Sequence, residues 1–324
     1  MNNSLITVFG GTGFLGRHTV RALARAGYRI RVAVRYPNDG FFLRPMGHVG
    51  QIDIVKCNVR NADQIAAAVH GASGVVNLVG ILFQRGRQRF EAVHVGAAAA
   101  ISKAAREAGA TSLVHVSAIG ADQDAESGYA ASKGEGEVCV RAAYADAVIL
   151  RPSIVFGPED DFFNRFAALA RMLPFLPLIG GGATKFQPVF VGDVAAAIVH
   201  ALSDPGARGR TFELGGPTVY TFKELMQFVL RETCRRRLLV PMSFFLATIQ
   251  AVFLQFLPKP LLTPDQVILL KSDNIVTGPD TLAALGIEPT SVEAEVPAYL
   301  SRFRPKGQYD ETVRAKVIEA PASR

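Results

Sequence analysis

The sequence predicts an α/β protein, a doubly wound parallel sheet with a smaller mixed C-terminal lobe. Three observations carry that expectation. Short apolar runs alternate with helix-length segments over the first half of the chain, a glycine-rich turn joins the first run to the first helix, and the rhythm loosens at a proline- and glycine-rich stretch near the middle.

Taken in order, the runs Leu5–Phe9, Ile30–Val34, Ile52–Val55, Val75–Val79, Leu113–Val116 and Val148–Leu150 read as strands, because they are apolar without interruption, as strands covered on both faces must be. Helices are expected at Phe14–Ala26, Ala62–Val69, Phe90–Ala108 and Tyr129–Ala143, which gives the strand, helix, strand repeat of a parallel sheet. After Pro152 the prolines Pro174 and Pro177 and the triple glycine Gly180 to Gly182 break the chain, and a helix follows at Asp193–Leu202. The expected division is a sheet domain at 1–155 with later strands drawn from 156–220, a small lobe at 221–305, and a polar, mobile tail at 306–324.

Composition sets the limits. With 49% hydrophobic and 19% charged residues in 324, the chain buries a core and is not disordered. A net charge of +7 favours acidic partners without choosing among phosphates, nucleic acid and an anionic surface. Cys57, Cys139 and Cys234 form no CxxC pair, so neither a disulfide framework nor a metal site is expected. The first residues lack the pattern of a signal peptide, and a cytoplasmic location is expected. No nucleic-acid motif is present.

The turn Gly10-Gly11-Thr12-Gly13-Phe14-Leu15-Gly16 follows the first strand at once and opens the first helix. Glycines at 10, 13 and 16 permit a tight turn, close backbone approach to a pyrophosphate and close helix–strand packing, the pattern of a Rossmann dinucleotide site. At the end of the second strand, where an acidic residue would grip the ribose 2′-hydroxyl of NAD(H), the chain has Arg35. With Arg17, just past the last glycine, it argues for the 2′-phosphate of NADPH, unless both arginines are simply solvated.

Tyr129 and Lys133 stand four residues apart at the start of a helix, hence on one face, and Ser117 ends the preceding strand. A lysine beside the phenol would lower its pKa and hold the nicotinamide ribose, while the serine hydroxyl would polarise a carbonyl. Ser117, Tyr129 and Lys133 are therefore the candidate catalytic set.

These motifs resemble those of extended or atypical short-chain dehydrogenases/reductases. The resemblance assigns the cofactor contacts to Gly10, Thr12, Gly13, Phe14, Leu15, Gly16, Arg17, Arg35, Asn58, Val59, Leu78, Val79, Gly80, Ser117, Tyr129, Lys133, Pro152 and Ile154; Asn58 replaces the aspartate usual beside the adenine. Leu150 to Pro158 is similar to the stretch lining the nicotinamide, and Val191-Gly192-Asp193-Val194 to a later signature. Longer strings, among them Val114 to Asp122, Arg151 to Asp160, Gly180 to Val189 and Leu262 to Val267, resemble the nucleotide-binding accessory subunits of respiratory complex I. That resemblance implies structurally held NADPH and complex I subunits as partners, and the apolar segment from Leu238 to Leu257 adds the expectation of peripheral attachment on the cytoplasmic side of the inner membrane. The intact Ser117, Tyr129 and Lys133 keep open an active NADP-dependent reductase or nucleotide-sugar epimerase/dehydratase.

Leu238 to Leu257 is nearly all apolar and follows Arg235, Arg236 and Arg237. Pro241 leaves a helix from Met242 to Phe256, about 23 Å long at about 1.5 Å per residue, which is short of the roughly 30 Å hydrocarbon core. It is expected to dock on a membrane complex or bilayer surface, or else to pack as a core helix of the small lobe. Arg85, Arg87 and Arg89 mark a second basic loop, and His94 and His115 are expected to serve packing.

Overall fold

The computed structural model describes residues 4–257 and 260–307, so most of the tail expected to be mobile lies outside the described residues. Seven strands make one parallel sheet: β1 (Leu5–Phe9), β2 (Arg29–Val34), β3 (Ile52–Lys56), β4 (Gly74–Asn77), β5 (Ser112–Val116), β6 (Val148–Pro152) and, after four short strands of the lobe, β11 (Thr211–Leu214). The order is β11-β6-β5-β4-β1-β2-β3, which reverses direction beside β1, so the crevice of a doubly wound fold opens between β1 and β4 at their carboxyl ends.

Helices cover both faces, as the uninterrupted apolar strands require. On one side α1 (Phe14–Arg25) packs against α6 (Val191–Ser203), burying Val20 and Leu23 of α1 and Val194 and Ile198 of α6 against Val8, Val32 and Val76. On the other lie α2 (Ala62–Val69), α3 (Ala97–Glu107) and α4 (Gly128–Ala143); the alanines of α2 and α3 and Val140 of α4 pack in one core with Phe9, Val75 and Leu113. The helix expected over Phe90–Ala108 begins as a π-helical stretch, Glu91–Gly96, before α3, and this wider turn carries Val93 and His94 inward. Strand β4 stops at Asn77, two residues short of the expected end, because the Asn77 side chain accepts the Val79 N–H at 3.1 Å and turns the chain.

The lobe uses β7 (Val155–Phe156), α5 (Phe163–Met172), β8 (Phe175–Ile179), β9 (Lys185–Phe186), β10 (Val189–Phe190), β12 (Tyr220–Thr221), α7 (Phe222–Glu232), β13 (Leu238–Met242), α8 (Phe244–Leu254), α9 (Pro264–Leu269) and α10 (Val292–Leu300). Its core is aromatic, with Phe156, Phe163, Phe222 and Phe228 buried together. The apolar stretch from Leu238 divides: its first residues pair with β8 as β13, and the helix starts only at Phe244, capped by Ser243, which accepts the Leu246 N–H. Among the described residues no helix is long and apolar enough to cross a membrane.

Two of the three arginines before that helix do not face outward as free charges. Arg235 donates twice to the Phe303 carbonyl, at 3.1 and 3.0 Å, and Arg237 donates to the Ala170 carbonyl at 2.8 Å, so they satisfy carbonyls in the last turns of helical segments that apolar residues could not. Arg236 stays exposed.

Candidate functional site

Every residue assigned to the nucleotide lies at or just beyond the carboxyl end of a parallel strand, or on α1 or α4, whose first turns face that edge. Gly10 follows β1 directly with φ at +82°, and a Cβ there would sit 3.0 Å from the Leu78 carbonyl carbon. At Gly16 a Cβ would fall 2.2 Å from the Gly10 carbonyl oxygen. The fold itself needs both. Gly13 differs, since its φ is −71° and a Cβ would meet only the Gly10 oxygen, at 3.4 Å. Nothing within the chain demands glycine at 13, and the room it leaves suits a ligand approaching the backbone. Gly13 also caps α1, which has no side-chain cap and no acidic residue in its first turn, so its amide groups and dipole stand ready for an anion.

Arg17 lies over the Phe42 ring at 5.1 Å and 3.7 Å from the Glu159 carboxylate, yet its buried Nε has no partner. Arg35 is exposed past the end of β2, and its side chain makes no hydrogen bond or ion pair among the described residues. Asn58 turns back on its own loop, its Oδ1 accepting the Arg60 N–H at 3.1 Å. Leu78 donates its N–H to the Phe9 carbonyl at 3.0 Å, which places Leu78, Val79 and Gly80 across the crevice from Gly10. Pro152, at the end of β6, accepts the Ile119 N–H at 3.1 Å, and Ile154 accepts the Val189 N–H at 2.9 Å.

The structure brings Tyr129, Lys133, Gly80 and His94 together. A Cβ on Gly80 would lie 3.7 Å from both Lys133 Nζ and His94 Nε2, and the Tyr129 ring stands edge-on to His94 at 5.4 Å and to Phe90 at 6.0 Å. Ser117 is buried beside them at the end of β5, its Oγ without a partner. An orphaned hydroxyl, an orphaned guanidinium nitrogen and the space at Gly13 are what a dinucleotide along this edge would satisfy, so the residues present fit that group.

The expected electrostatics of the pair are reversed. Lys133 is buried and donates to the Val116 carbonyl at 3.0 Å, and burial holds its ammonium down to about 8. Burial, and after it the Asp265 carboxylate, push the Tyr129 phenol up to about 12. At neutral pH Tyr129 is a hydrogen-bond donor, not a primed base. Asp265 is the residue the motifs missed. Its carboxylate accepts from the Gly128 N–H at 2.7 Å, the Tyr129 N–H at 3.3 Å and the Ser127 hydroxyl at 3.1 Å, and with 136 residues separating it from Tyr129 only the fold could pair them.

His94 packs as expected, buried and stacked on Phe90 at 5.3 Å, and it also borders the Tyr129 and Lys133 pair. Its Nε2 accepts the Ile81 N–H at 3.0 Å, so the proton sits on Nδ1, which donates to Ser132 Oγ at 2.9 Å. His115 Nδ1 faces the Asn77 amide nitrogen at 3.0 Å, an arrangement in which the ring accepts. Burial first, then the Lys133 charge, hold both imidazoles down to about 3. Below about 6.5, the ordinary histidine value, the unfolded chain takes up protons that the folded chain refuses, so stability falls as pH drops from about 6.5 towards 3. Replacing His94 and His115 by asparagine is expected to flatten this acid limb, measured as urea midpoints at pH 7 and pH 5; an unchanged slope would refute it.

A glycine turn with a helix amino terminus at the switch point of a parallel sheet defines a Rossmann-type nucleotide-binding protein. The sequence profile of the NAD dependent epimerase/dehydratase family matches residues 6–215, and the chain belongs to that family. It is 36% identical to "NADH dehydrogenase [ubiquinone] 1 alpha subcomplex subunit 9, mitochondrial" of Mus musculus, over 96% of this chain and 85% of the mouse protein. It is 35% identical to "Ceramide reductase" of Caulobacter vibrioides over 195 residues, 60% of each chain. Among solved structures, an NADPH-dependent quinone oxidoreductase of Escherichia coli complexed with NADPH superposes with a TM-score of 0.73 at 19% identity, covering 91% of this chain and 99% of the other, a likeness of fold.

Proposed function

We propose that the chain is an NADPH-holding accessory subunit of respiratory NADH:ubiquinone oxidoreductase, attached peripherally at the cytoplasmic side of the inner membrane. The single observation that carries this reading, beside the likeness to the mouse subunit along nearly the whole chain, is the outer face of α8. Only Ala247 and Ala251 of that helix are buried, against α9, while Phe245 and Phe253 are 73% and 71% exposed and Leu246, Ile249, Val252, Phe256 and Leu257 join them. Large apolar side chains exposed together along one helix mark an interaction site. It lies on the small lobe, which is drawn from residues 155–190 as well as from 220–303 and so begins earlier than the expected 221, while the parallel sheet would hold the nucleotide.

The α1 amino terminus and Gly13 would take the pyrophosphate, Arg17 and Arg35 the 2′-phosphate, and Tyr129 and Lys133 the nicotinamide ribose. When bound, the nucleotide supplies hydride chemistry. Tyr129, protonated at neutral pH, would donate a hydrogen bond to the ribose, Lys133 would add a charge beside it, and Ser117 would gain the partner it lacks. Such a set grips the cofactor without requiring turnover.

Native electrophoresis of mildly solubilised membranes tests the docking. The wild type is expected to co-migrate with NADH dehydrogenase activity, and Phe245→Asp with Phe253→Asp to run free while still holding nucleotide. Both rings are outside the core, so the double variant should fold. Recovery of the wild type wholly in the soluble fraction would overturn the proposal. Heating the purified protein is expected to release NADPH at about one per chain, and Arg35→Asp to shift the preference towards NAD(H) by about tenfold or more; release of NAD(H) alone would count against the arginine assignment.

A second reading, an active reductase, is favoured by the intact Ser117, Tyr129 and Lys133 and by the likeness to the Caulobacter reductase over 60% of the chain. Turnover by the isolated protein that Tyr129→Phe abolishes would put this reading first.

A further inference from the structure

The first turn of α4, which carries Tyr129, is capped by the small lobe. In a helix of sixteen residues the leading amides have no partner within the helix and the positive end of the dipole gathers there. Ser127 Oγ accepts the Ala130 N–H at 3.3 Å and donates its own proton to Asp265 at 3.1 Å, while the Gly128 and Tyr129 amides donate directly to the same carboxylate at 2.7 and 3.3 Å. One side chain from a distant segment therefore completes the turn on which the phenol depends. Lys271, just past α9, adds a nearby ion pair to Glu126 at 3.5 Å.

Asp265 is itself held firmly. It lies in the first turn of α9, where Thr263 and Gln266 form a reciprocal capping box and Pro264 fixes the first helical position. On its other side α9 buries Val267 against Ala247 and Ala251 of α8, together with Ile179. The two alanines let the helices approach closely, so the same small helix touches the tyrosine's turn and the inner face of the apolar helix.

We propose that Asp265 is the positioning residue that links the nucleotide site to the α8 face, acting through the first turn of α4. The inference rests on the reading of a held nucleotide and an α8 docking surface, and names how the two communicate. A nucleotide contacting Tyr129 and Lys133 steadies α4, and the carboxylate carries that ordering into α9 and α8. Linkage makes the effect reciprocal, so a partner seated on α8 tightens the grip on the nucleotide by the same factor.

Hydrogen exchange followed by mass spectrometry on the full chain, stripped and NADPH-loaded, tests it. In the wild type, NADPH is expected to slow exchange about tenfold at residues 10–17, at 128–133, and also at 244–257 and 262–270. In Asp265→Ala the slowing at 10–17 should persist, while that at 244–270 falls below about twofold. Asp265→Asn, which keeps an acceptor oxygen and the shape, should fall between them and remains readable if the alanine variant folds poorly. Because each variant is compared with itself, a general loss of stability would not produce this pattern. Undiminished slowing at 244–270 in both variants, or none there in the wild type, would overturn the link. Absence of slowing even at 10–17 would overturn the nucleotide reading beneath it, whereas failure of docking alone shows only in the electrophoresis.

Discussion

Replacing Gly13 by valine is expected to leave a folded protein that has lost its nucleotide, and replacing Gly16 by valine to unfold the same turn. The contrast follows from what each glycine meets. At 13 a Cβ has only the Gly10 oxygen near it, at 3.4 Å, and the backbone is in an ordinary region at φ −71°, so the apo fold tolerates a side chain. The branches would occupy the space in front of the α1 amide groups, where backbone approach to the pyrophosphate is closest. Retention of NADPH after purification should drop by about a hundredfold or more, with the urea midpoint nearly unchanged. At 16 the Cβ would lie 2.2 Å from the Gly10 oxygen and 2.6 Å from Gly11 backbone atoms, which no rotamer relieves. Overpacking of that kind costs about 3 kcal/mol or more. Full nucleotide retention by the Gly13 variant, or a Gly16 variant as stable as the wild type, would contradict the assignment.

Glu137→Ala is expected to cost about 2 to 3 kcal/mol of unfolding free energy. Glu137 stands one turn beyond Lys133 on α4, buried, and accepts both Arg151 Nε at 2.9 Å and Arg151 Nη2 at 2.7 Å from β6. Removing the carboxylate strands a guanidinium in a poorly hydrated place, which costs more than the intact pair contributes. The figure falls below the roughly 3 to 5 kcal/mol of a fully buried broken pair because 27% of the Arg151 side chain still reaches solvent. Lys133 should respond too. Glu137 is the charge that supports its ammonium, so without it the lysine is held still lower. Changing both partners to methionine should recover most of the stability, since an apolar pair leaves nothing unsatisfied. A single variant within about 0.5 kcal/mol of the wild type in urea titration would show the pair to be solvated.

How much was legible in the sequence varies with the range of the contact. The strands from Leu5 to Leu150, their parallel sheet and the glycine turn are written locally, because an apolar run bounded by a glycine or a cap allows few alternatives. The spacing of Tyr129 and Lys133 is written the same way. The ends of elements are less so: β4 stops at Asn77 through a side-chain bond, and Leu238 to Leu257 splits because β8 was available to pair with its first residues.

By itself, then, the sequence determined the doubly wound fold, the place of the glycine turn and the spacing that sets Tyr129 and Lys133 on one face of α4, all of which depend on periodicity and on residues near in the chain. Only the tertiary structure decided the state of that set. It turned Lys133 towards the Val116 carbonyl, brought Asp265 from the far lobe to the first turn of α4, made His94 a wall of the site, and left the rings of α8 outside with only two alanines buried. The physical reason is that a side chain's charge and exposure depend on what packs against it, and those neighbours come from other elements of the fold, 17 residues away for Lys133 and Val116 and 136 for Tyr129 and Asp265, over which no local pattern runs.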